Sequence, residues 1–178
     1  MQFRNNFNGI IQIYTGNGKG KTTASIGLAV RAYGHDFPIA IVQFMKTEES
    51  GEINAIKKLK IAESYSFGLK GFLDKDNPRE IDKIEAQKAL KKAEELMTSK
   101  KFNFLILDEI NCAVYFNLLK EKDVHELLDK KPRNCEIILT GRCCTESLIK
   151  RADLVTEMKE IKHPWKECQM NAREGTEY

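Results

Sequence analysis

A glycine-rich run between an apolar segment and a helical segment constrains this chain more than any other feature. Residues 10–14 are Ile-Ile-Gln-Ile-Tyr, which is typical of a buried strand, and residues 21–33 have the pattern of a helix. The run Tyr-Thr-Gly-Asn-Gly-Lys-Gly-Lys-Thr-Thr, residues 14–23, connects the two. Its glycines let several backbone N–H groups point at one anion, and the start of the helix adds partial positive charge. The order strand, Gly-Lys-Thr, helix therefore predicts a phosphate-binding loop.

The residues of this loop have distinct predicted roles toward a nucleoside triphosphate. Lys21 is predicted to be catalytic, because its ammonium would lie on the terminal phosphates, and the Thr22 hydroxyl is predicted to ligate Mg²⁺. The residues predicted to bind ATP are Gly16, Asn17, Gly18, Lys19, Gly20, Lys21, Thr22 and Thr23. The usual motif has its first glycine where this chain has Thr15, so the turn departs from the standard one. The alternative interpretation is a glycine-rich turn with an incidental lysine.

Strand-like and helix-like patterns alternate along the whole chain. This alternation predicts an α/β fold of the P-loop NTPase (RecA-like) type, a mostly parallel sheet flanked by helices on both faces, as one domain over residues 1–178. The predicted strands are 10–14, 39–44, 61–67, 102–107, 136–140 and 154–158. The predicted helices are 21–33, one starting at Asn77-Pro78 and reaching residue 97, 112–120, 123–129 and 145–151. Ligands of such sheets bind beyond the carboxyl ends of the strands.

Two further motifs follow predicted strands. Asp108 and Glu109 come directly after an apolar run, where carboxylates are costly unless a cation or donors meet them. Either acid is a candidate Mg²⁺ ligand opposite Thr22, with the other holding a water or orienting a substrate. The alternative is a charged pair at a solvated strand end. Arg142, in Thr-Gly-Arg, is a candidate phosphate-binding residue or part of an ordinary turn.

Composition excludes several classes of protein. The net charge of +3 is too small to predict nucleic acid as the main partner. No apolar run is long enough to predict a membrane span. The five cysteines form no Cys-x-x-Cys pair, which argues against structural zinc and favours reduced thiols in the cytoplasm. The adjacent Cys143 and Cys144 are interpreted as packing residues.

Several motifs occur along the chain in the same order as in one protein family. They are residues 14–23, 42–46, 71–72, 107–109, 139–142 and 175–178. With them the chain resembles the P-loop family of ATP:corrinoid adenosyltransferases, and the unusual glycine spacing of the loop is itself a feature of that family.

The resemblance implies a chemistry that residue spacing does not show. Cobalt(I) of a corrinoid attacks the 5′ carbon of ATP, and triphosphate leaves as one unit. ATP is the co-substrate, Mg²⁺ accompanies it, and the corrinoid is cob(I)alamin or a precursor. The resemblance also implies a homodimer and an electron-donor protein such as a flavodoxin.

The resemblance assigns one aromatic residue a catalytic role. Phe72 occupies the position whose aromatic side chain keeps the lower axial ligand away from cobalt, while Asp74 stands where relatives often carry tryptophan. The alternative is that Phe72 anchors its loop in the core.

Two other functions share the predicted fold. One is a small-molecule kinase or ATPase that cleaves the γ phosphate. The other is a nucleotide-gated binding module or motor domain, which would need a basic surface that the near balance of charge does not supply.

Overall fold

The computed structural model describes residues 7–47, 50–71 and 73–176. Within them, six strands form one sheet in the order β3-β2-β4-β5-β1-β6, and every neighbouring pair is parallel. The strands are β1 (Ile11–Thr15), β2 (Ile39–Phe44), β3 (Glu63–Phe67), β4 (Phe104–Asp108), β5 (Glu136–Thr140) and β6 (Leu154–Glu157). The predicted parallel α/β architecture is confirmed.

Helices cover both faces of this sheet. They are α1 (Lys21–Tyr33), α2 (Gly51–Leu59), α3 (Glu80–Thr98), α4 (Ile110–Tyr115), α5 (Glu121–Asp129), α6 (Glu146–Arg151) and α7 (Pro164–Cys168). Side chains alternate between the faces, so Leu105 and Leu107 belong to the core formed with α3 and α5, whereas Ile106 belongs to the core formed with α1 and α2. Because both faces are buried, the central strands are apolar along nearly their whole length.

The strand order brings three polar strand ends together. Tyr14 of β1 is paired with Thr140 of β5, Leu107 of β4 with Leu139 of β5, and Gln43 of β2 with Asp108 of β4. The ends of β1, β4 and β5 therefore meet at one edge of the sheet, directly beside the loop that leads into α1. Among the described helices, none is both long enough and apolar enough to cross a bilayer.

The structure corrects several predicted boundaries. Helix α3 begins at Glu80, and Asn77 is not its cap, because Arg79 is the extended N-cap residue and its guanidinium binds Asp82 at 2.6 and 2.7 Å. The strand predicted from residue 61 starts at Glu63, because the Ile61 N–H donates to the Ile56 carbonyl oxygen and ends α2.

Other predictions along the chain were incomplete or wrong. Helix α4 covers 110–115 rather than 112–120, and the helices α2 and α7 were not predicted. Cys143 is exposed, so its interpretation as a packing residue is wrong, whereas Cys144 packs partly buried against the larger core. Burial raises the pKa of Cys144 to about 11, which keeps the thiol protonated.

Candidate active site

The glycine loop connects the end of β1 to the start of α1. Gly16 and Gly20 have φ angles of 93° and 116°, in a region that residues with a Cβ atom rarely adopt. Gly20 is the N-cap of α1, so the helix begins directly at Lys21. The loop therefore has the strand, turn and helix arrangement that a phosphate-binding site requires.

The backbone that follows β6 packs directly against this loop. The Gly18 N–H donates to the Met158 carbonyl oxygen at 2.6 Å, and the Met158 N–H donates to the Thr15 carbonyl oxygen at 2.8 Å. A Cβ atom at Gly16 would lie 2.5 Å from the Met158 carbonyl oxygen, and one at Gly18 would lie 2.7 Å from it. Close approach of two backbones therefore requires glycine at both positions, which explains the unusual spacing of the glycines.

We expect Gly18→Ala to destabilise the protein by about 1–3 kcal/mol, because the new methyl group must displace the backbone at 158–159. The matched control is Gly27→Ala in the middle of α1, where an added Cβ atom has no neighbour within 4 Å. That variant should gain up to about 1 kcal/mol, since alanine favours a helix over glycine. Urea unfolding followed by circular dichroism measures both changes, and equal effects would contradict the close-approach explanation.

Lys21 lies buried within the loop, with 7% of its surface exposed. Its Nζ donates to the carbonyl oxygens of Gly16 at 2.8 Å and Gly18 at 2.7 Å. Burial and then the positive charge of Arg142 lower the pKa of Lys21, and the charge of Glu109 opposes this shift. The loop carbonyl oxygens thus hold the ammonium in place, where the charges of Arg142 and Glu109 act on it.

Asp108 is the acid that contacts the loop helix. Its carboxylate is 1% exposed and accepts four hydrogen bonds. The donors are Thr22 Oγ1 at 2.9 Å and Thr140 Oγ1 at 2.7 Å on Oδ1, and Gln43 Nε2 at 3.1 Å and Lys46 Nζ at 2.8 Å on Oδ2. Burial acts to raise the pKa of Asp108, but the charge and hydrogen bond of Lys46 and the two hydroxyl donors outweigh it and lower the pKa. The group is therefore an ionised carboxylate.

Glu109 has a different environment from its neighbour. It adopts a left-handed backbone conformation with φ of 66° at the start of α4, and its N–H donates to Thr140 Oγ1 at 3.0 Å. Glu109 is partly exposed. Burial acts to lower the pKa of Lys46, but the charge and hydrogen bond of Asp108, together with the charge of Glu109, outweigh it and raise the pKa. Within the described part of the chain, Asp108 and not Glu109 accepts the hydrogen bond from Thr22.

The polar groups at this position suit Mg²⁺. Magnesium in nucleotide sites takes one or two carboxylates and a hydroxyl from the protein and keeps its other positions for phosphates and water. The Thr22 hydroxyl and the Asp108 carboxylate supply this set of oxygen ligands. The described residues contain no cluster of three or more histidine, cysteine or acidic side chains arranged as a metal site.

Sequence reasoning assigned no role to three residues that contact Asp108. They are Gln43, Lys46 and Thr140. Gln43 is fully buried and also accepts from Ser66 Oγ at 2.9 Å, which extends the polar network to β3. A glutamine inside an otherwise apolar strand was the available signal, because a buried amide needs hydrogen-bonding partners.

The remaining predicted site residues lie around the loop. Arg142 is exposed, and its charge acts on Lys21. Asn17, Lys19 and Thr23 are also exposed. Phe72 lies outside the described residues, next to Gly71, which has φ of 129°.

Two cavities flank the loop. One of about 470 Å³ is lined by Thr22, Thr23, Lys46, Glu52 and the segment 175–176. The other, of about 610 Å³, lies beside Gly18 and Lys19 and is lined by residues 159–165 and 170–173. Within the first of these ranges, the His163 Nδ1 accepts a hydrogen bond from the Trp165 N–H at 3.2 Å and so caps α7, which is a structural role.

Comparison with known proteins gives a family for this arrangement. The family model described as ATP:corrinoid adenosyltransferase BtuR/CobO/CobP matches residues 7–178. A corrinoid adenosyltransferase of Sinorhizobium sp. is 38% identical over 174 residues, which cover 96% of this chain and 80% of that protein. Corrinoid adenosyltransferases of Escherichia coli K12 and Salmonella typhimurium LT2 are each 32% identical over 171 residues, covering 96% of this chain and 86% of each relative. The chain belongs to the ATP:corrinoid adenosyltransferase family and is a transferase of the P-loop type.

Proposed function

We propose that this chain transfers the 5′-deoxyadenosyl group of ATP to cobalt(I) of a corrinoid and releases triphosphate. The observation that carries the proposal is the family match over residues 7–178, which includes the loop and the acid that faces it. The new bond joins cobalt to the 5′ carbon, and the electron pair of the broken carbon–oxygen bond leaves with the triphosphate. No water has to be activated, so the site needs no general base.

The residues of the loop are proposed to hold the triphosphate. Negative charge grows on the leaving phosphate oxygen in the transition state, and fixed N–H donors and ammonium groups stabilise it. Lys21 and Arg142 supply the positive charge, and the amides and side chains of the loop hold the chain of phosphates in place. A rigid grip at this end also fixes the 5′ carbon in line with cobalt, which contributes much of the rate.

Thr22 and Asp108 are proposed to hold Mg²⁺ on the triphosphate, because they already contact one another at 2.9 Å. The ion would add positive charge to the leaving group. Glu109 is proposed to act from the second layer, orienting a water or the substrate. Phe72 is proposed to place its ring against the corrinoid and keep the lower axial ligand off cobalt.

The partners of the reaction are also proposals. A flavodoxin-like protein would supply the electrons that make cobalt(I), and the reaction would take place in the cytoplasm, where ATP is available and thiols such as those of this chain stay reduced. We propose a homodimer, since β6 is an edge strand with Leu154 and Val155 about 40% and 39% exposed. Light scattering after gel filtration tests it, and a mass of one chain would contradict it.

A product assay separates this function from γ-phosphate cleavage. The protein is mixed without oxygen with Mg-ATP and chemically reduced cobalamin, the corrinoid spectrum is followed, and the phosphate products are identified by phosphorus NMR. Adenosylated corrinoid and triphosphate in equal amounts are expected. ADP with an unchanged corrinoid would instead identify a kinase or ATPase.

A further inference from the structure

The ammonium of Lys46 contacts both of the groups expected to bind the metal. Its Nζ is 2.8 Å from Asp108 Oδ2 and 3.4 Å from Thr22 Oγ1. The same hydroxyl and carboxylate are bonded to each other. A cation therefore already lies against the two oxygen ligands that would hold Mg²⁺.

The backbone around Lys46 holds it in this place. Met45, directly before it, has a left-handed φ of 60°, a strained conformation for a residue with a side chain. A Cβ atom at Gly68 would lie 2.4 Å from the Lys46 backbone nitrogen, so the end of β3 leaves room for this turn only because residue 68 is glycine. The chain thus turns sharply after β2 and returns the lysine to the strand ends.

A second carboxylate stands within reach of the same ammonium. Glu52 Oε1, in the first turn of α2, lies 3.6 Å from Lys46 Nζ, and both side chains are about a quarter exposed, 28% and 24%. Lys46 and Glu52 also line the same cavity beside Thr22. Glu52 is therefore a second counter-charge that Lys46 can keep when another cation takes its place on Asp108.

We infer that Lys46 takes the place of the metal ion in the nucleotide-free protein and moves toward Glu52 when Mg²⁺ enters with ATP. The inference rests on the proposed function only for the identity of the nucleotide. Lys46 is then a positioning residue. Its ammonium neutralises the buried carboxylate, and Mg²⁺ without nucleotide binds weakly because it must displace that ammonium without the added oxygen ligands of the phosphates. The metal is then expected to arrive together with ATP.

The test measures metal binding directly, with Mn²⁺ as the probe and electron paramagnetic resonance as the readout, in the absence of nucleotide. Lys46→Met should bind Mn²⁺ at least about tenfold more tightly than the wild type, which corresponds to a difference of about 1.4 kcal/mol. The matched control, Lys58→Met on the exposed side of α2, should bind as the wild type does. Unchanged or weaker binding by Lys46→Met would overturn the inference.

Thermal unfolding supplies an independent readout. Lys46→Met removes the cation from a buried carboxylate and should lower the melting temperature by about 5 °C, and millimolar Mg²⁺ should restore most of that loss while changing the wild type little. Lys46→Gln keeps a donor for Asp108 without the charge, so it serves if the methionine variant does not fold, and it should show the same gain in Mn²⁺ affinity. Equal stabilisation of wild type and variant by Mg²⁺ would overturn the inference. Neither readout involves a corrinoid, so a negative product assay would leave this result intact.

Discussion

Replacing Lys21 by methionine is expected to lower the rate of adenosyl transfer by about a hundredfold to a thousandfold, the usual effect of removing one preorganised donor to a developing negative charge. Lys21 is the buried ammonium of the loop, held by the carbonyl oxygens of Gly16 and Gly18. Methionine has a similar length and no charge, so the loop keeps its volume and loses its cation. The measurement is kcat/KM for adenosylcobalamin formation without oxygen.

The Lys21 prediction separates catalysis from folding. The melting temperature of Lys21→Met should stay within a few degrees of the wild type, and the same substitution at the exposed Lys58 should leave kcat/KM unchanged. Isothermal titration with ATP should show weaker binding for Lys21→Met. Wild-type kcat/KM in a folded Lys21→Met protein would remove the loop lysine from the mechanism.

Asp108→Asn is expected to abolish most activity and also to destabilise the fold. The carboxylate accepts from Thr22, Thr140, Gln43 and Lys46, and an amide can accept on one side only. One side of the network would keep unmatched donors, and Lys46 would lose its main counter-charge. Breaking a buried ion pair by removing one partner costs about 3–5 kcal/mol, and the partial exposure of Lys46 places this variant near the lower end.

The stability effect of Asp108→Asn should depend on pH in a defined direction. The pKa of Asp108 is lowered in the folded protein, so its contribution is complete above the pKa of an unfolded aspartate, about 3.9, and is lost as the pH falls below that value. The gap in unfolding free energy between wild type and variant should therefore be constant near neutral pH and narrow below about pH 4.

Urea unfolding at several pH values measures this gap. The control is Asp129→Asn, whose carboxylate is 65% exposed and paired with Arg151 at 2.6 Å. That surface pair should contribute no more than about 1 kcal/mol. A gap for Asp108→Asn as small as that of the control would contradict the description of Asp108 as a buried, fully bonded anion.

The parts of the site that could be predicted from the sequence are those set by local pattern. The loop from Gly16 to Thr23 is contiguous, and its strand and helix neighbours are strongly apolar or periodic, so its form follows from short-range chemistry. The acidic pair Asp108 and Glu109 could be placed opposite Thr22 because a parallel α/β sheet gathers the carboxyl ends of its strands at one edge. Which acid meets Thr22 depends on side-chain orientation at the strand end, and this the sequence does not contain.

Other parts depend on contacts between distant segments. The strand order, which places Thr140 and Gln43 on either side of Asp108, results from long-range pairing and has no local signal. Helix α2 has only Ile53 and Ile56 as buried anchors among its nine residues, too few to mark a periodic face. The contact of Met158 with the loop joins residues far apart in the chain. The reason for the unusual glycine spacing could therefore not be predicted from the sequence.

That contact limits how far the phosphate loop can be treated as a transferable module. The amide of Gly18 is bonded to a carbonyl from another part of the chain, and the absence of side chains at Gly16 and Gly18 matches the surface of that segment. A graft of this loop into an ordinary P-loop scaffold would lack the backbone at 158–159 that it packs against. A standard loop with side chains at positions 16 and 18 would collide with residues 158–159 of this protein. The two segments form one structural unit, and protein engineering would have to exchange them together.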